Sequence, residues 1–411
     1  MMPNKKIYLD YAATTPVDKE VLKEMLPYFS EKFGNAMSIH SFGQEALQAV
    51  DAARGKIADF FGCAPTEIVF TSGATESNNL TVKGVLKSYY SKAENAEIKP
   101  HIITSAFEHH CILDSCKAVE KDGLAEVSYI NPGKDGVVRV SEIAKAIRPN
   151  TVLISIMYVN NEIGTVQPIG KIAKLVRKTN QAKAENEFKT VFHTDATQAV
   201  NYFDCDVEKL GVDLLSMSAH KIYGPKGIGM LYVRKGTAIR KIQDGGDQEY
   251  KLRAGTHNVT GIVGFGKAME VLKKSMPKDS KKIQDLRDHL IGKVLREIPN
   301  ARLNGSKTKR SPNNANFSFK DIEGEGLLLS LDMEGIACST GSACSSGALS
   351  PSHVLLSIGL KAEQAHGSLR MTLGKYTTKN EIDVAVKKLK AIAERLRKIS
   401  GSVLADYYSK K

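Results

Sequence analysis

Lys221 lies in the segment Ser216-Met217-Ser218-Ala219-His220-Lys221-Ile222-Tyr223-Gly224-Pro225, between the end of a strand-like run and a glycine-rich turn. A solvated charge has no physical reason to stand at the end of a buried strand. A lysine taken out of water loses basicity and becomes an amine nucleophile. Lys226 competes for that part, but Pro225 and Gly227 on either side mark it as an exposed turn residue. Upstream, the run 67–71 leads into Thr71-Ser72-Gly73-Ala74-Thr75-Glu76-Ser77-Asn78-Asn79. Small and hydroxyl residues at a strand-to-helix turn leave backbone N–H groups free, and such a turn can hold a phosphate. Taken alone, it reads equally well as an ordinary capped helix. Between these segments, the run 190–195 ends in Asp195-Ala196-Thr197-Gln198. A carboxylate at a buried strand end needs a cation or donors, unless Asp195 simply caps the next helix. A protonated pyridine nitrogen would meet that need. An anion seat, an acid for the ring and an amine to hold an aldehyde as a Schiff base are together what pyridoxal 5'-phosphate requires. Ser218 and His220 are placed to add phosphate ligands.

A second chemical cluster lies far downstream. Cys338-Ser339-Thr340-Gly341-Ser342-Ala343-Cys344-Ser345-Ser346-Gly347 is too rich in glycine and serine for a core element and is expected to form a loop. Cys344 on that loop is expected to be exposed, and an exposed thiol suits nucleophilic work once its pKa is lowered. Cys338 is expected at the buried end of a strand. Arg370, in the alternating run Ser368-Leu369-Arg370-Met371-Thr372, is either a two-pronged clamp for a substrate carboxylate or half of a surface ion pair.

The elements that must position these groups follow from the hydrophobic pattern. Thr15-Pro16 is expected to cap and begin a helix with Val17, Val21 and Met25 on its apolar face, together with Leu22 and Leu26. A second helix carries Val50, Ala53, Ile57, Phe60 and Phe61 and stops at Gly62. Strand-like runs at 67–71, 101–105, 126–130, 151–157, 190–195, 213–218 and 229–233 alternate with helical patterns, which predicts a mostly parallel sheet covered by helices. Beyond residue 260 the texture changes to long Lys-rich helices, among them 380–399, and a few antiparallel-looking strands. The expected division is a large domain over 16–262 and a smaller α+β domain built from 1–15 plus 263–411. The polar stretches 91–100 and 181–188 are expected as surface loops or helix ends.

Composition narrows the setting. The chain has 411 residues, long enough for more than one core. No stretch approaches the roughly 20 apolar residues of a membrane-spanning helix, and the start has no apolar run of a signal peptide. A cytoplasmic protein is expected. Six cysteines are irregularly spaced without a Cys-x-x-Cys pair, which argues against a disulfide framework, and Cys111 and Cys116 would face apart on one helix. No metal site is expected. The net charge of +13 raises nucleic acid as a partner. The basic residues are nevertheless spread along the chain. Their densest cluster, Lys307-Thr308-Lys309-Arg310, reads as a solvated loop without interleaved aromatics, so no direct nucleic-acid contact is expected.

Nearly end to end, these segments resemble the cysteine desulfurases of the NifS/IscS group, class V aminotransferase-fold enzymes. The likeness rests on Tyr8-Leu9-Asp10-Tyr11-Ala12-Ala13-Thr14-Thr15-Pro16, the Thr71–Asn78 turn, Val159-Asn160-Asn161-Glu162-Ile163-Gly164 and Asp195-Ala196-Thr197-Gln198. It continues through Ser218-Ala219-His220-Lys221, Arg253-Ala254-Gly255-Thr256 and Gly341-Ser342-Ala343-Cys344. The resemblance implies an α/β, fold-type I pyridoxal-phosphate transferase. It implies that Ala74, Thr75, Ser218 and His220 hold the phosphate, with Thr256 reaching in from the partner of a homodimer. It further implies that Asp195 meets the pyridine nitrogen, Gln198 the ring oxygen and Asn161 both substrate and cofactor. His109 would stack on the ring and relay protons. The implied reaction takes L-cysteine to L-alanine. Lys221 moves protons, Arg370 holds the carboxylate, and Cys344 carries the sulfur as a persulfide. The recipient would be a sulfur-acceptor protein, such as an iron–sulfur cluster scaffold or a tRNA-thiolation enzyme. Departures from the group's pattern are Asn35-Ala36, the stretch Asp244-Gly245-Gly246-Asp247-Gln248-Glu249, and Tyr250 in place of an arginine. They bear on the site mouth and the dimer contact. An aminotransferase would have no need of Cys344. An idle assembly scaffold would need none of Lys221, Asp195 and Cys344. A selenocysteine lyase on the same fold is the nearer rival.

Overall fold

The computed structural model describes residues 6–92, 98–185, 187–340 and 350–409, with side chains as far as 399. Cys344 and parts of the polar stretches at 91–100 and 181–188 lie outside the described residues. A short first strand, β1 (Ile7–Tyr8), precedes the seven strands of the main sheet: β2 (Ile68–Thr71), β3 (His101–Ser105), β4 (Glu126–Ile130), β5 (Thr151–Ser155), β6 (Val191–Asp195), β7 (Leu214–Ser218) and β8 (Gly229–Val233). Their spatial order is β2-β8-β7-β6-β5-β3-β4. β8 runs antiparallel to both neighbours, and the other pairs in the sheet are parallel. Alternation explains how one strand serves two cores: Ile68 and Phe70 face one layer while Val69 faces the other, and Met230 and Tyr232 oppose Leu231 in the same way.

The helices begin and end for local reasons. Ser41–Phe61 stops where Gly62 takes a left-handed φ of 68°. The first helix starts later than the sequence suggests, at Lys19, with Asp18 as its cap accepting from the Glu20 N–H. Thr15 is not free to cap it. Its hydroxyl donates to the His220 carbonyl and accepts from the Tyr223 N–H. Val21 and Met25 are buried as expected, but Leu22 and Leu26 stand exposed.

A second sheet, in the order β12-β10-β9, is antiparallel and comprises β9 (Ala301–Leu303), β10 (Asn314–Phe319) and β12 (Ser368–Thr372); β11 (Ile336–Ala337) pairs in parallel with β1. The helix Val259–Glu297 runs through both cores. Ile262, Phe265, Ala268, Met269 and Leu272 pack beneath the main sheet, and Ile283, Leu290 and Val294 pack beneath the second. Pro277 lies between these two sets. Among the described residues no helix is long and apolar enough to cross a membrane.

The Lys307–Arg310 cluster is not uniformly solvated. Arg310 is buried, and its guanidinium donates to the carbonyls of Ser306 (2.8 Å), Ile163 (2.8 Å), Asn314 (3.3 Å) and Asn304. Burial, with the charge of Arg287 nearby, pulls it down to about 9. It joins the turn after β5 to the second sheet.

Candidate active site

In an open α/β sheet, ligands gather beyond the carboxyl ends of the strands. Thr71, Ser105, Asp195 and Ser218 are the last residues of β2, β3, β6 and β7. After β2, the helix Ala74–Tyr90 begins at Gly73 without a side-chain cap. Its first-turn N–H groups are therefore not claimed by a capping oxygen. Gly73 has a φ of 153°, and a Cβ on Gly229 would come 2.6 Å from the Gly73 Cα, so both glycines are needed for the turn to lie this close to β8. Thr75 is exposed at the mouth of this turn, and Ala74 is half-buried. The Glu76 carboxylate accepts from the Ser72 N–H at 2.6 Å and from Arg253 at 3.0 Å, which ties the turn to the 253–258 loop. Thr256 stands exposed on that loop, and no hydrogen bond joins it to the site among the described residues.

Asp195 is buried with both oxygens engaged. Oδ2 accepts from Asn78 Nδ2 at 2.7 Å, and Oδ1 accepts from the Thr197 N–H at 2.9 Å. Each carboxylate oxygen keeps a further lone pair. Lys221 ends a short 3-10 turn after β7, and its Nζ donates to the carbonyls of Ala12 (2.5 Å) and Ala13 (2.6 Å). Gln198 Nε2 donates to the same Ala12 carbonyl at 2.9 Å. The N-terminal segment, one of the motifs that carry the resemblance, thus meets Lys221 and Gln198. His220 packs against Thr14 at 3.1 Å, and burial, with Lys221 and Lys226 nearby, pulls its imidazole down to about 4.

His109 caps the helix His110–Lys121, its Nδ1 accepting from the Cys111 N–H at 3.2 Å. Burial, together with Lys221, His110 and His353, holds its imidazole below the usual value against the opposing pull of Asp195. Beside it, Glu108 is fully enclosed. Its Oε1 accepts from Ser105 Oγ (2.5 Å) and the Met157 N–H (2.9 Å), and burial pushes the acid up to about 8.

At the other side of the site, Arg370 on β12 is buried. Nη2 meets Asp10 at 2.8 Å, Nη1 donates to the Asn161 carbonyl at 3.1 Å, and Nε has no partner among the described residues. Asn161 sits in a turn fixed by Asn160, whose Oδ1 accepts from the N–H groups of Glu162 and Ile163.

Whether this arrangement fits pyridoxal phosphate can be judged from what is left unsatisfied. Among the described residues, the buried atoms Asn78 Oδ1, Asn161 Oδ1, Thr197 Oγ1 and Arg370 Nε have no hydrogen-bond partner, and neither do others away from the site such as Arg54 Nε and Asn304 Oδ1. Buried polar atoms are ordinarily paired, so the four gathered here suit a polar guest. The uncapped helix start suits its phosphate, and Asp195 suits its ring nitrogen. The residues present fit the group. Asn78 and Cys111 join Asp195 and His109 in this cluster, a place that neither the 71–79 turn nor the cysteine spacing indicates from sequence.

Comparison with known proteins agrees with this geometry. The family model described as Aminotransferase class-V matches residues 7–384. The chain is 49% identical over 396 residues to a protein of Dictyoglomus turgidum named cysteine desulfurase IscS, covering 96% of each chain. The solved structure of a NifS-like protein matches with a TM-score of 0.86 at 37% identity, over 95% of this chain and 100% of that one. A structure described as SspA in complex with cysteine matches with a TM-score of 0.78 at 38% identity, over 90% of this chain and 100% of that one.

Proposed function

The chain belongs to the aminotransferase class-V family, and from that premise we propose that it is a pyridoxal-phosphate-dependent cysteine desulfurase. The observation that carries the reading is the gathering of an uncapped helix start, a buried acid and a lysine at the ends of β2, β6 and β7. Ala74, Thr75, Ser218 and His220 would hold the phosphate, with Thr256 of a second copy completing the seat. Asp195 would keep the pyridine nitrogen protonated, Gln198 would approach the ring oxygen, and His109 would lie against the ring. When bound, the cofactor supplies an electron sink for the substrate's α-carbon.

The chain's own residues do the rest. Lys221 Nζ would hold the cofactor at rest and would carry a proton to and from the α-carbon. Arg370 and Asn161 orient the carboxylate and amine of L-cysteine. The Cys344 thiolate attacks the substrate sulfur. The Cβ–S bond breaks as the new S–S bond forms, and the carbon skeleton leaves as L-alanine after taking up protons. The persulfide on Cys344 then passes its outer sulfur to an acceptor protein, an iron–sulfur cluster scaffold or a tRNA-thiolation enzyme.

We place the reaction in the cytoplasm and in a homodimer. Leu22, Leu26, Phe29, Phe33, Met37 and Phe42 are all exposed within one short stretch, and clustered apolar exposure of this kind favours a covering partner. This supports a second copy as its cover. Purified protein given pyridoxal phosphate tests the reading. Wild type is expected to take up one equivalent per chain and to develop visible absorbance, which Lys221→Ala abolishes. Failure of wild type to bind the cofactor would overturn it.

A further inference from the structure

Cys111 lies between Asn78 and His109, the second of which is proposed to lie against the cofactor. Its Sγ is 2.9 Å from Asn78 Nδ2 and 3.0 Å from His109 Nδ1, and Asn78 Nδ2 also donates to Asp195 Oδ2 at 2.7 Å. A continuous chain of contacts, Asp195–Asn78–Cys111–His109, therefore runs from the acid that would meet the ring nitrogen to the imidazole that would stack on the ring. The direction of each bond can be worked out. The Cys111 backbone N–H donates to His109 Nδ1, so Nδ1 acts as an acceptor and carries no proton. The sulfur contact at the same nitrogen must then be S–H donating to N. A neutral imidazole with an acceptor Nδ1 carries its proton on Nε2.

We propose that Cys111 is a positioning residue of this active site, its thiol braced by Asn78 and donating to His109 Nδ1 so that the ring is held as the neutral Nε2–H form. Burial, with Asp195 beside it, pushes the Cys111 thiol up to about 12, so at neutral pH it is a donor and not a nucleophile. The groups facing His109 are Asp195, Lys221, His110 and His353. Of these only Asp195 favours the imidazolium, and the two donors on Nδ1 block the site where the second proton would bind. The consequence for the reaction rests on the desulfurase reading: an imidazole with Nε2–H can donate a hydrogen bond but cannot accept a proton there, so the base that moves the α-proton is Lys221 alone.

Selective 15N-histidine labelling of the cofactor-free protein reads the tautomer directly and does not depend on the enzyme reading. Wild type is expected to show His109 as Nε2–H with unprotonated Nδ1 at neutral pH and to gain its second proton only below the usual imidazole range. Cys111→Ala removes one of the two donors. The imidazole should then titrate closer to its ordinary value and sample both tautomers, and Cys111→Ser, which keeps a donor, should restore the wild-type signals. In the loaded enzyme the acidic limb of the pH–kcat profile should move up with the titration in Cys111→Ala, lowering turnover at pH 6 by roughly three- to tenfold, as the loss of one hydrogen bond allows. Identical His109 signals in wild type and Cys111→Ala would overturn the proposal. So would a folded Cys111→Ser that behaves like the alanine variant.

Discussion

Arg310 and Arg370 are both 4% exposed, and both lie in the second half of the chain close to the turn after β5. By type and burial they are the same residue. Their surroundings differ. Every nitrogen of Arg310 is taken by a carbonyl of its own joint. Among the described residues, Arg370 meets one carboxylate and one carbonyl, and its Nε is left over next to an Asn161 whose Oδ1 is also left over. A buried charge whose hydrogen bonds are closed holds the fold together. An open donor alone does not make a ligand site, since Arg54 Nε is open as well, but the one on Arg370 suits the substrate carboxylate proposed for it.

The contrast can be broken most sharply by removing the closed one. Arg310→Met keeps the stem but strips donors from four carbonyls, and the denaturant midpoint should report a loss of about 3–5 kcal/mol, with KM for cysteine little changed in the folded fraction. A third buried guanidinium, Arg54, extends the comparison because its main partner is a carboxylate. Glu249 meets it at 2.7 and 2.8 Å and also accepts from the Phe70 N–H at 2.7 Å. Burial opposes the Glu249 charge, yet Arg54, His257 and the Phe70 N–H hold the acid down to about 2. An acid lowered in the folded state gives stability that is complete above its unfolded pKa near 4.5. That stability is lost as pH falls through the folded value near 2, and amounts to roughly 3 kcal/mol in all. Glu249→Gln should flatten the stability–pH curve over this window, whereas Arg310→Met should shift the curve without changing its slope.

Arg370→Lys, by contrast, should leave the denaturant midpoint less affected than Arg310→Met and raise KM for cysteine about 10- to 100-fold, the value of a hydrogen bond to a charged group. Equal losses of stability in the two arginine variants would dissolve the distinction. The smallest effect is expected beside Glu249. Glu249, Tyr250 and Lys251 take consecutive φ values of 47°, 57° and 67°, a left-handed run that side chains disfavour. Lys251→Gly should raise stability by about 0.5–1 kcal/mol in thermal melts.

The sequence makes the strands legible because alternation and apolar runs are local. Strands His101–Ser105, Glu126–Ile130 and Gly229–Val233 match their expected limits, and the others differ by a residue or two at an end. Lys221 and Asp195 are legible because a charge at the end of an apolar run is conspicuous. What stays hidden depends on partners remote in the chain. Arg310 looks like part of a basic loop until the Ile163 carbonyl is brought to it across 147 residues. Thr15 looks like a helix cap until the His220 and Tyr223 backbones claim its hydroxyl. Cys111 gives no sign of its place beside Asn78, because their contact spans 33 residues and one packed helix pair. Among the departures at the site mouth, Tyr250 lies 5.3 Å over the Arg54 guanidinium, a stacking that tyrosine can provide and that a second arginine would oppose by charge.

Passage of sulfur from cysteine by way of Cys344 is read by the yield of alanine and protein-bound persulfide in a single turnover of L-cysteine by the loaded enzyme, comparing wild type with Cys344→Ala and with Cys63→Ala as the control. The account predicts one alanine and one persulfide per active chain in wild type and in Cys63→Ala, and neither product in Cys344→Ala. Alanine and sulfide released by Cys344→Ala at the wild-type rate would contradict it.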